Sequence, residues 1–230
     1  MNKIPFSPLP ELYEKADFRD EEFALITECE HFIVEMQYPL LGMKNAENRC
    51  VVRKEVLERL HLAASFLPHG YRFKILDAWR PFALQKELYD TYKSRIITEF
   101  KLEKASDKEQ EAFISKFVSL PSENRNVPPV HTTGGAIDLT IIDSNGIELP
   151  MGTDFDAFTD ETNTEYFESS DNTVIRDNRR LLYNVMIKAG FTNLPSEWWH
   201  YDYGDRFWAF YTDSSAIYKG VFSRSEIIEG

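Results

Sequence analysis

The sequence predicts an α+β fold in which helices flank a mainly antiparallel central sheet. Segments with helical and strand-like periodicity are interspersed along the chain, without the regular alternation that a doubly wound α/β protein requires. Of the 230 residues, 43% are hydrophobic and 14% are aromatic, which is enough to build one sizeable core. No internal repeat, linker or low-complexity tract divides the chain. We therefore expect one domain over residues 1–230, with the informative motifs within residues 71–211.

The first half of the chain predicts two helices with a strand between them. Apolar residues recur at helical spacing over residues 53–67, and Pro68 ends this helix. Residues 71–77 alternate between polar and apolar side chains, which is typical of a strand with one buried face. Pro81 suits a first helical turn, because its missing N–H is not needed there, so a second helix is expected over residues 81–100.

The second half predicts two more helices and two more strands. In chain order these are a helix over residues 106–118, a buried strand over 136–142, a helix over 176–189 and a strand over 198–203. Ser106 and Glu109 have the spacing of a capping box at the start of the first of these helices. Gly190 can end the later helix, because glycine adopts the left-handed conformation that closes many helices.

The charge balance argues against two classes of partner. The chain carries 26 basic and 38 acidic residues, which gives a formal net charge of −12. Proteins that bind nucleic acid neutralise phosphates with Lys and Arg, and anionic membranes attract the same residues. We therefore expect neither nucleic acid nor a membrane as a partner, and favour a small-molecule substrate.

The cysteines and the amino-terminal residues predict a cytoplasmic location. Cys29 and Cys50 show no motif spacing, which is typical of a reducing compartment and not of a disulfide framework. The first residues contain prolines and acids where a signal peptide has an apolar run. Because two cysteines are too few for a cysteine-rich zinc site, a metal here would have to use histidine and carboxylate ligands.

A first candidate metal-binding segment lies at residues 130–140. His131 follows a proline-rich turn, two glycines come next, and Asp138 lies on the apolar run after them. A histidine nitrogen and a carboxylate oxygen brought together by such a turn are suitable Zn²⁺ ligands. Taken alone, a turn with a hydrogen-bonded histidine and a solvent-facing aspartate is the simpler interpretation.

A second candidate segment lies at residues 196–201. Glu197 and His200 are three residues apart, separated by two tryptophans that exclude water. This segment supplies a third ligand and a carboxylate close enough to act on a water molecule. Two histidines, one carboxylate and an open fourth position are typical of a catalytic zinc site. For this segment alone, a tryptophan-rich core strand is the simpler interpretation, so the pairing of the two segments carries the zinc hypothesis.

Arg80 lies where the predicted strand passes into the predicted helix, in the sequence Asp77-Ala-Trp-Arg80-Pro81. Such a junction often faces a cleft, where a fixed guanidinium could stabilise an oxyanion. The alternative is an arginine tied to a neighbouring carboxylate. The remaining histidines have no ligand-like spacing, and we interpret them as structural or surface residues; they are His31, His61 and His69.

Together these segments resemble the D-alanyl-D-alanine dipeptidases of the VanX type, within the M15 zinc peptidases. That family carries His-x-x-Gly-x-Ala-x-Asp and Glu-x-x-His motifs, an Asp-Ala-[Tyr/Trp]-Arg-Pro motif, and a Leu-Pro-Met-Gly-[Ser/Thr]-x-Phe-Asp motif. The matches in this chain are His131/Gly134/Ala136/Asp138, Glu197/His200, Asp77 to Pro81, and Leu149 to Asp156. Four motifs in family order, over a little more than half of the chain, are far more specific than either zinc motif alone.

The resemblance implies a fold like that of the M15 peptidases and the hedgehog amino-terminal domain, and a set of roles. His131, Asp138 and His200 would bind one Zn²⁺ per chain. Glu197 would act as general base and acid, and Arg80 would polarise the scissile carbonyl. The implied activity is zinc-dependent hydrolysis of a small dipeptide, with D-Ala-D-Ala or a related D,D-dipeptide as the default.

The resemblance also implies substrate contacts, and here the chain departs from the family. Asp156 resembles the family residue near the amino end of the substrate. Phe32 aligns loosely with a family tyrosine near the substrate, and Pro129 replaces a serine of the Ser-x-His pattern. Past Met151, residues 151–173 contain seven acids and no base, which is typical of a solvated acidic loop. Beside a zinc cleft, the alternative is a lid that attracts a dipeptide's ammonium and excludes long peptides.

Two alternatives to the dipeptidase stay open from the sequence. One is a carboxypeptidase of the same family that trims peptidoglycan stem peptides, which the lack of an export signal disfavours. The other is a non-catalytic zinc-binding module of the same fold. The presence of both Glu197 and Arg80 disfavours the second alternative, because a structural zinc site needs neither.

Overall fold

A five-stranded sheet forms the centre of the computed structural model, which describes residues 1–115 and 117–228. The strands are β1 (Phe23–Leu25), β2 (Phe32–Val34), β3 (Val51–Arg53), β4 (Arg72–Asp77), β5 (Ala136–Ile142), β6 (Thr192–Asn193) and β7 (His200–Asp202). The α-helices are α1 (Gln37–Leu40), α2 (Lys54–Ala64), α3 (Phe82–Glu99), α4 (Asp107–Ile114), α5 (Thr173–Lys188) and α6 (Arg206–Thr212).

The sheet has the strand order β2-β4-β5-β7-β6. β2 pairs with β4 in parallel, and the other three pairings are antiparallel. β1 and β3 form a separate antiparallel pair. Helices flank this mixed sheet, which confirms the predicted α+β class with a mainly antiparallel sheet.

The middle strand, β5, is buried along all of its seven residues. A strand covered on both faces is expected to read as a continuous apolar run, and this explains why the sequence predicts it with the correct bounds. Asp138 is the one ionisable residue on that strand. A carboxylate at this depth needs partners, so its position on β5 already indicates a functional role.

Two groups of helices cover the sheet and build the cleft. Helices α2 and α5 contribute to the main core, through residues such as Leu60 and Met186, which are fully buried. Helices α3 and α4 form a second cluster with Leu88, Ile96 and Ile114. Two tyrosines that line the cleft, Tyr38 and Tyr92, belong to this second cluster, so the packing of α3 and α4 fixes one wall of the site.

The long elements lie where the sequence predicts them, and most of the short ones do not appear in the prediction. The predicted helices correspond to α2, α3, α4 and α5, with ends that differ by up to four residues. The capping box at Ser106 is present, with Glu109 donating its backbone N–H to the serine hydroxyl at 3.4 Å. The strand predicted over residues 198–203 contains the shorter β7. The other short elements were not predicted, because elements of that length show no measurable periodicity; they are β1, β2, β3, β6, α1 and α6. No helix in the described ranges combines the length and apolar character that a membrane crossing needs.

Candidate active site

Three side chains predicted as metal ligands meet at one end of the sheet. Asp138 comes from β5, His200 is the first residue of β7, and His131 comes from a 3₁₀ turn over Val130–Thr133. One ligand atom from each lies within 4.8 Å of the other two, and all three residues are buried. Within the described ranges, this is the one group of three or more His, Cys, Asp or Glu side chains that does so.

The distances between these atoms match the edges of a tetrahedral zinc site. Nε2 of His131 lies 3.2 Å from Nδ1 of His200. Nδ1 of His200 lies 3.0 Å from Oδ1 of Asp138, and Nε2 of His131 lies 3.4 Å from Oδ2 of Asp138. Ligands held at the usual zinc distances of ~2.0–2.1 Å in a tetrahedron are separated by about 3.3 Å. The separations of 3.0–3.4 Å are close to this value, so the three side chains converge as a zinc site requires.

The hydrogen bonds on the far side of each imidazole fix which nitrogens face the centre. Nδ1 of His131 lies 2.8 Å from the carbonyl oxygen of Ala78, and Nε2 of His200 lies 2.8 Å from Oδ1 of Asp202. The outer nitrogens therefore point their N–H groups away from the cluster, and the inner nitrogens face each other and Asp138. Such outer partners are typical of histidines that bind metals. With a metal bound, the two inner nitrogens and the Asp138 carboxylate would turn their lone pairs toward it.

The pKa shifts of His200 and Asp138 also indicate a site that favours a positive charge. Burial lowers the pKa of His200, but the carboxylates of Asp202 and Asp138 outweigh this effect and raise it well above its usual value. Burial raises the pKa of Asp138, but the imidazoles of His131 and His200 outweigh this effect and lower it. Both shifts show that the surroundings favour a negative carboxylate facing a positive charge.

The two glycines after His131 are required by close backbone packing. Gly134 adopts a φ of +75°, and a Cβ there would lie 2.4 Å from the ring of Phe23. A Cβ on Gly135 would lie 2.4 Å from the carbonyl oxygen of Tyr203. The turn can therefore bring His131 beside β7 only because neither residue carries a side chain.

Glu197 lies beside the three ligand atoms without joining them. Its Oε2 is 3.8 Å from Nδ1 of His200, and 22% of its side chain is exposed. Burial raises the pKa of Glu197 to about 8, and nearby Asp138 and Asp156 add to the shift. Asn193 holds this turn, because its side-chain N–H group donates to the carbonyl oxygens of Glu197 at 3.1 Å and His200 at 2.9 Å. Glu197 is partly exposed to the cleft, lies close to the predicted metal ligands and has a raised pKa. A carboxylate with these properties is suited to proton transfer.

Arg80 lines the same cleft and is held on three sides. Its Nε and Nη2 both donate to Oδ2 of Asp77, at 3.0 and 2.8 Å. Its Nη1 donates to Oε1 of Gln85 at 2.7 Å, and its Nη2 donates to the hydroxyl of Tyr38 at 3.2 Å. Arg80 is therefore tied to a carboxylate, as one interpretation of the sequence expected, and it also lines the cleft, where the other interpretation placed it. A guanidinium has five N–H donors, so one donor on Nη1 is left without a partner among the described residues.

Asp156 forms the other side of the cleft. Its Oδ2 accepts hydrogen bonds from the hydroxyls of Tyr38 at 2.9 Å and Tyr92 at 2.7 Å. Burial raises the pKa of Asp156 to about 6, although the tyrosine hydrogen bonds oppose this shift. The carboxylate lines the same cleft as Arg80 and Glu197, so one small ligand could touch all three.

The acidic segment after Met151 is anchored as a wall of this cleft. Arg179 is fully buried and donates to the carbonyl oxygens of Met151, Asn163 and Glu161, each at 2.7 Å. The sequence left a solvated loop and a lid as alternatives for this segment. In the structure one buried arginine ties the segment to α5, and Asp156 faces the cleft.

Phe32 is not brought to the site, which corrects the expectation of a substrate contact there. It lies on the edge strand β2 with 1% of its surface exposed, and the pairing of β2 with β4 places its ring in the main core. Pro129 does line the cleft, as its place two residues before His131 suggests. A tyrosine hydroxyl is still present in the cleft, but Tyr38 supplies it.

Four residues of the site were not predicted. Tyr38, Gln85 and Tyr92 line the cleft, and Asp202 supports His200. Gln85 and Tyr92 lie within α3, and the sequence around them indicates only a continuous helix. Only Asp202 had a usable signal, since a carboxylate two residues after a ligand on a strand points to the same face of the sheet.

Comparison with known proteins identifies a matching family. The family model described as Peptidase_M15, D-ala-D-ala dipeptidase, matches residues 40–217. A D-alanyl-D-alanine dipeptidase from Synechocystis sp. is 30% identical over 176 residues, covering 69% of this chain and 71% of that protein. A D-alanyl-D-alanine dipeptidase from Escherichia coli (strain K12) is 27% identical over 155 residues, covering 67% of each.

Among solved structures, a vancomycin-resistance D,D-pentapeptidase VanY in complex with Zn(II) is similar at 14% sequence identity with a TM-score of 0.44. The aligned part covers 75% of this chain and 85% of that chain.

Proposed function

This chain belongs to the M15 peptidase family of D-Ala-D-Ala dipeptidases, and from that premise we propose that it hydrolyses D-Ala-D-Ala or a closely related D,D-dipeptide. It is a zinc-dependent metallopeptidase, as the peptidases of this family are. The observation that carries the substrate proposal is one small cleft that joins the three proposed metal ligands to a half-buried carboxylate, Asp156, and a buried cation, Arg80. A free dipeptide has an ammonium group next to its scissile carbonyl, and the cleft offers a partner for each.

We propose His131, Asp138 and His200 as the ligands of one zinc ion. Zinc, when bound, supplies a Lewis acid for the scissile carbonyl and lowers the pKa of the attacking water. The support is the donor set of two nitrogens and one oxygen, with edges of 3.0–3.4 Å and an outer hydrogen bond on each imidazole.

Glu197 is proposed as the general base and acid. Its Oε2 accepts a proton from the attacking water, and the same oxygen then delivers this proton to the leaving amine. Its raised pKa suits the second step, because a carboxyl that holds its proton is a usable acid, and the positive charge of bound zinc would favour the ionised form that the first step needs. The two tryptophans that follow it are each 2% exposed and keep this side of the cleft dry.

Arg80 is proposed as the group that stabilises the oxyanion. Asp77, Gln85 and Tyr38 hold four of its N–H groups, so the guanidinium cannot rotate away from the cleft. The N–H left on Nη1 can donate to the carbonyl oxygen, and its hydrogen bond strengthens as negative charge grows there.

Asp156 is proposed to bind the ammonium group of the substrate. Both tyrosines donate to Oδ2, which leaves Oδ1 without a partner among the described residues. A substrate ammonium would supply the missing positive partner and favour the ionised carboxylate.

We also propose that the whole chain, residues 1–230, forms one domain and acts in the cytoplasm. Contacts between the ends support the first part, since backbone N–H groups of Asp17 and Arg19 donate to the carbonyl oxygens of Ala216 at 2.8 Å and Ile217 at 2.9 Å. The low cysteine content supports the second.

The test is a substrate panel. Zinc-loaded protein is incubated with D,D-, L,D- and L,L-dipeptides and with a stem pentapeptide that ends in D-Ala-D-Ala. We expect little hydrolysis of the pentapeptide, because Asp156 requires an ammonium one residue before the scissile bond. Among the free dipeptides we expect the D,D-dipeptide to be preferred, as in the family to which the chain belongs. Comparable kcat/KM on the pentapeptide would favour the carboxypeptidase alternative, and no hydrolysis of any dipeptide would contradict the proposal.

A further inference from the structure

We infer that Tyr38 is a positioning residue that couples the site for the substrate's ammonium group to the site for its scissile carbonyl. Its single hydroxyl joins the guanidinium of Arg80 to the carboxylate of Asp156. The hydroxyl accepts a hydrogen bond from Nη2 of Arg80 at 3.2 Å and donates one to Oδ2 of Asp156 at 2.9 Å. The inference rests on the roles proposed above for Arg80 and Asp156.

The chemistry of the three groups fixes the direction of this chain of hydrogen bonds. A guanidinium can only donate, and an ionised carboxylate can only accept. The hydroxyl of Tyr38 must therefore point its proton at Asp156 and its lone pair at Arg80. Burial raises the pKa of Tyr38 well above its usual value, so the hydroxyl keeps the proton that this arrangement needs.

Packing holds Tyr38 rigidly between its two partners. Only 2% of its surface is exposed, and the guanidinium carbon of Arg80 lies 4.9 Å from the centre of its ring. The ring is thus a stacking surface for Arg80 as well as a hydrogen-bonding partner. Movement of the guanidinium would break both contacts, so Tyr38 restricts the N–H that faces the substrate carbonyl.

Tyr92 provides an internal comparison. Its hydroxyl donates to the same Oδ2 of Asp156 at 2.7 Å, but no hydrogen bond joins it to Arg80 in the described part of the chain. Both tyrosines therefore orient the carboxylate, and only Tyr38 also orients the guanidinium. Variants of the two tyrosines can therefore separate the orientation of the Asp156 carboxylate from the orientation of the Arg80 guanidinium.

The consequence is a fixed spacing between the ammonium site and the carbonyl site. Arg80, Tyr38 and Asp156 form one connected unit, so the free N–H on Nη1 and the free Oδ1 are held relative to each other. A dipeptide has its ammonium and its scissile carbonyl on the same residue. Tyr38 therefore favours substrates with one residue before the scissile bond, and links correct binding at Asp156 to correct placement of Arg80.

The experiment compares Tyr38→Phe with Tyr92→Phe on D-Ala-D-Ala. Each variant loses one hydroxyl that donates to Asp156, so KM should rise severalfold in both. Only Tyr38→Phe should also lower kcat, by about tenfold, which is the effect of one hydrogen bond to a charged group. Tyr89→Phe, at a buried tyrosine outside the cleft, is the control and should match the wild type in both constants. Zinc content and melting temperature verify that each variant is folded.

A second pair of variants tests the coupling without altering Tyr38. Asp156→Asn keeps an oxygen that can accept the tyrosine proton, so it should raise KM with little change in kcat. Asp156→Ala removes that acceptor, so it should raise KM and also lower kcat severalfold. Equal kcat in the Asn and Ala variants, or a Tyr38→Phe variant whose kcat equals that of Tyr92→Phe, would overturn the inference. A wild-type enzyme that hydrolyses no dipeptide would instead overturn the proposed function, and the inference with it.

Discussion

Asp138 and His200 are direct partners across the antiparallel strands β5 and β7. Because paired residues in such strands place their side chains on the same face, the hydrogen bonding of the sheet brings two of the three proposed ligands together. Asp77 on β4 is the partner of Asp138 on the other side, so the residue that holds Arg80 lies in the same row. The sheet register therefore sets the separation between the metal ligands and the proposed oxyanion site.

The first prediction concerns the metal. The purified protein should contain about one equivalent of zinc, and His131→Ala should lower this well below one, because two ligands bind zinc far more weakly than three. His69→Ala, at an exposed histidine outside the site, should keep the full amount. Metal analysis of the three proteins decides the matter, and undiminished zinc in His131→Ala would show that the ligand set is wrong.

The second prediction concerns the support of His200. Asp202→Asn should lower zinc affinity ~10–100-fold, because the carboxylate that accepts the Nε2 proton of His200 fixes the orientation of the ring. The protein should stay folded, since the substitution preserves size. Competition with a chelator measures the affinity, with Asp90→Asn on the exposed face of α3 as the control. Equal zinc affinity in the two variants would exclude this role.

The third prediction uses the pKa of Asp156. A carboxyl whose pKa is raised to about 6 by folding is destabilising once it ionises, at about 1.4 kcal/mol per pKa unit. Asp156→Asn should therefore raise the free energy of unfolding by up to about 3 kcal/mol at pH 7. Asparagine also tolerates the positive φ of 57° at this position.

The sign of this effect can be checked by changing the pH. The contribution of the Asp156 carboxyl to stability is fully present below about pH 4 and is lost as the pH rises through about 6. The stabilisation by Asp156→Asn should accordingly vanish in acid, while KM for a dipeptide at pH 7 should rise. Denaturant unfolding at pH 4 and pH 7 measures the difference, and a variant that is less stable at pH 7 would contradict the assignment.

The fourth prediction separates two adjacent arginines of α5. Arg179→Met should lower the free energy of unfolding by about 3 kcal/mol or more, because three carbonyl oxygens lose a charged donor. Arg180→Met removes a pair with the Glu168 carboxylate, which keeps the backbone N–H of Ile4 as a donor, so this variant should lose less stability than Arg179→Met. Thermal or denaturant unfolding of both variants makes the comparison. Similar losses would mean that Arg179 does not anchor the acidic segment.

The sequence predicts much of this site because its ligands lie in local motifs. His131, Asp138, Glu197 and His200 are identifiable because each motif spans only a few residues on one turn or strand. The capping box and the apolar run of β5 are equally local, and they are present as predicted. The residues of a short motif can therefore be identified without knowledge of the fold.

The rest depends on contacts between distant segments. Tyr38 and Asp156 are 118 residues apart in the chain, and the hydrogen bond between them exists only because α1 packs beside the anchored acidic segment. Phe32 was assigned to the site from a loose alignment, but the pairing of β2 with β4 places the Phe32 side chain in the core. Periodicity cannot reveal such contacts, since each residue alone has an ordinary structural explanation.

The most direct test of the account is the turnover of Glu197→Gln. Glutamine preserves the shape of the side chain but cannot take a proton from water, and Glu197 is not one of the proposed ligands. The account predicts a folded protein with about one equivalent of zinc and a kcat on D-Ala-D-Ala lowered at least ~10²-fold. Near-normal turnover would show that another group activates the water, and loss of zinc would show that Glu197 is a ligand.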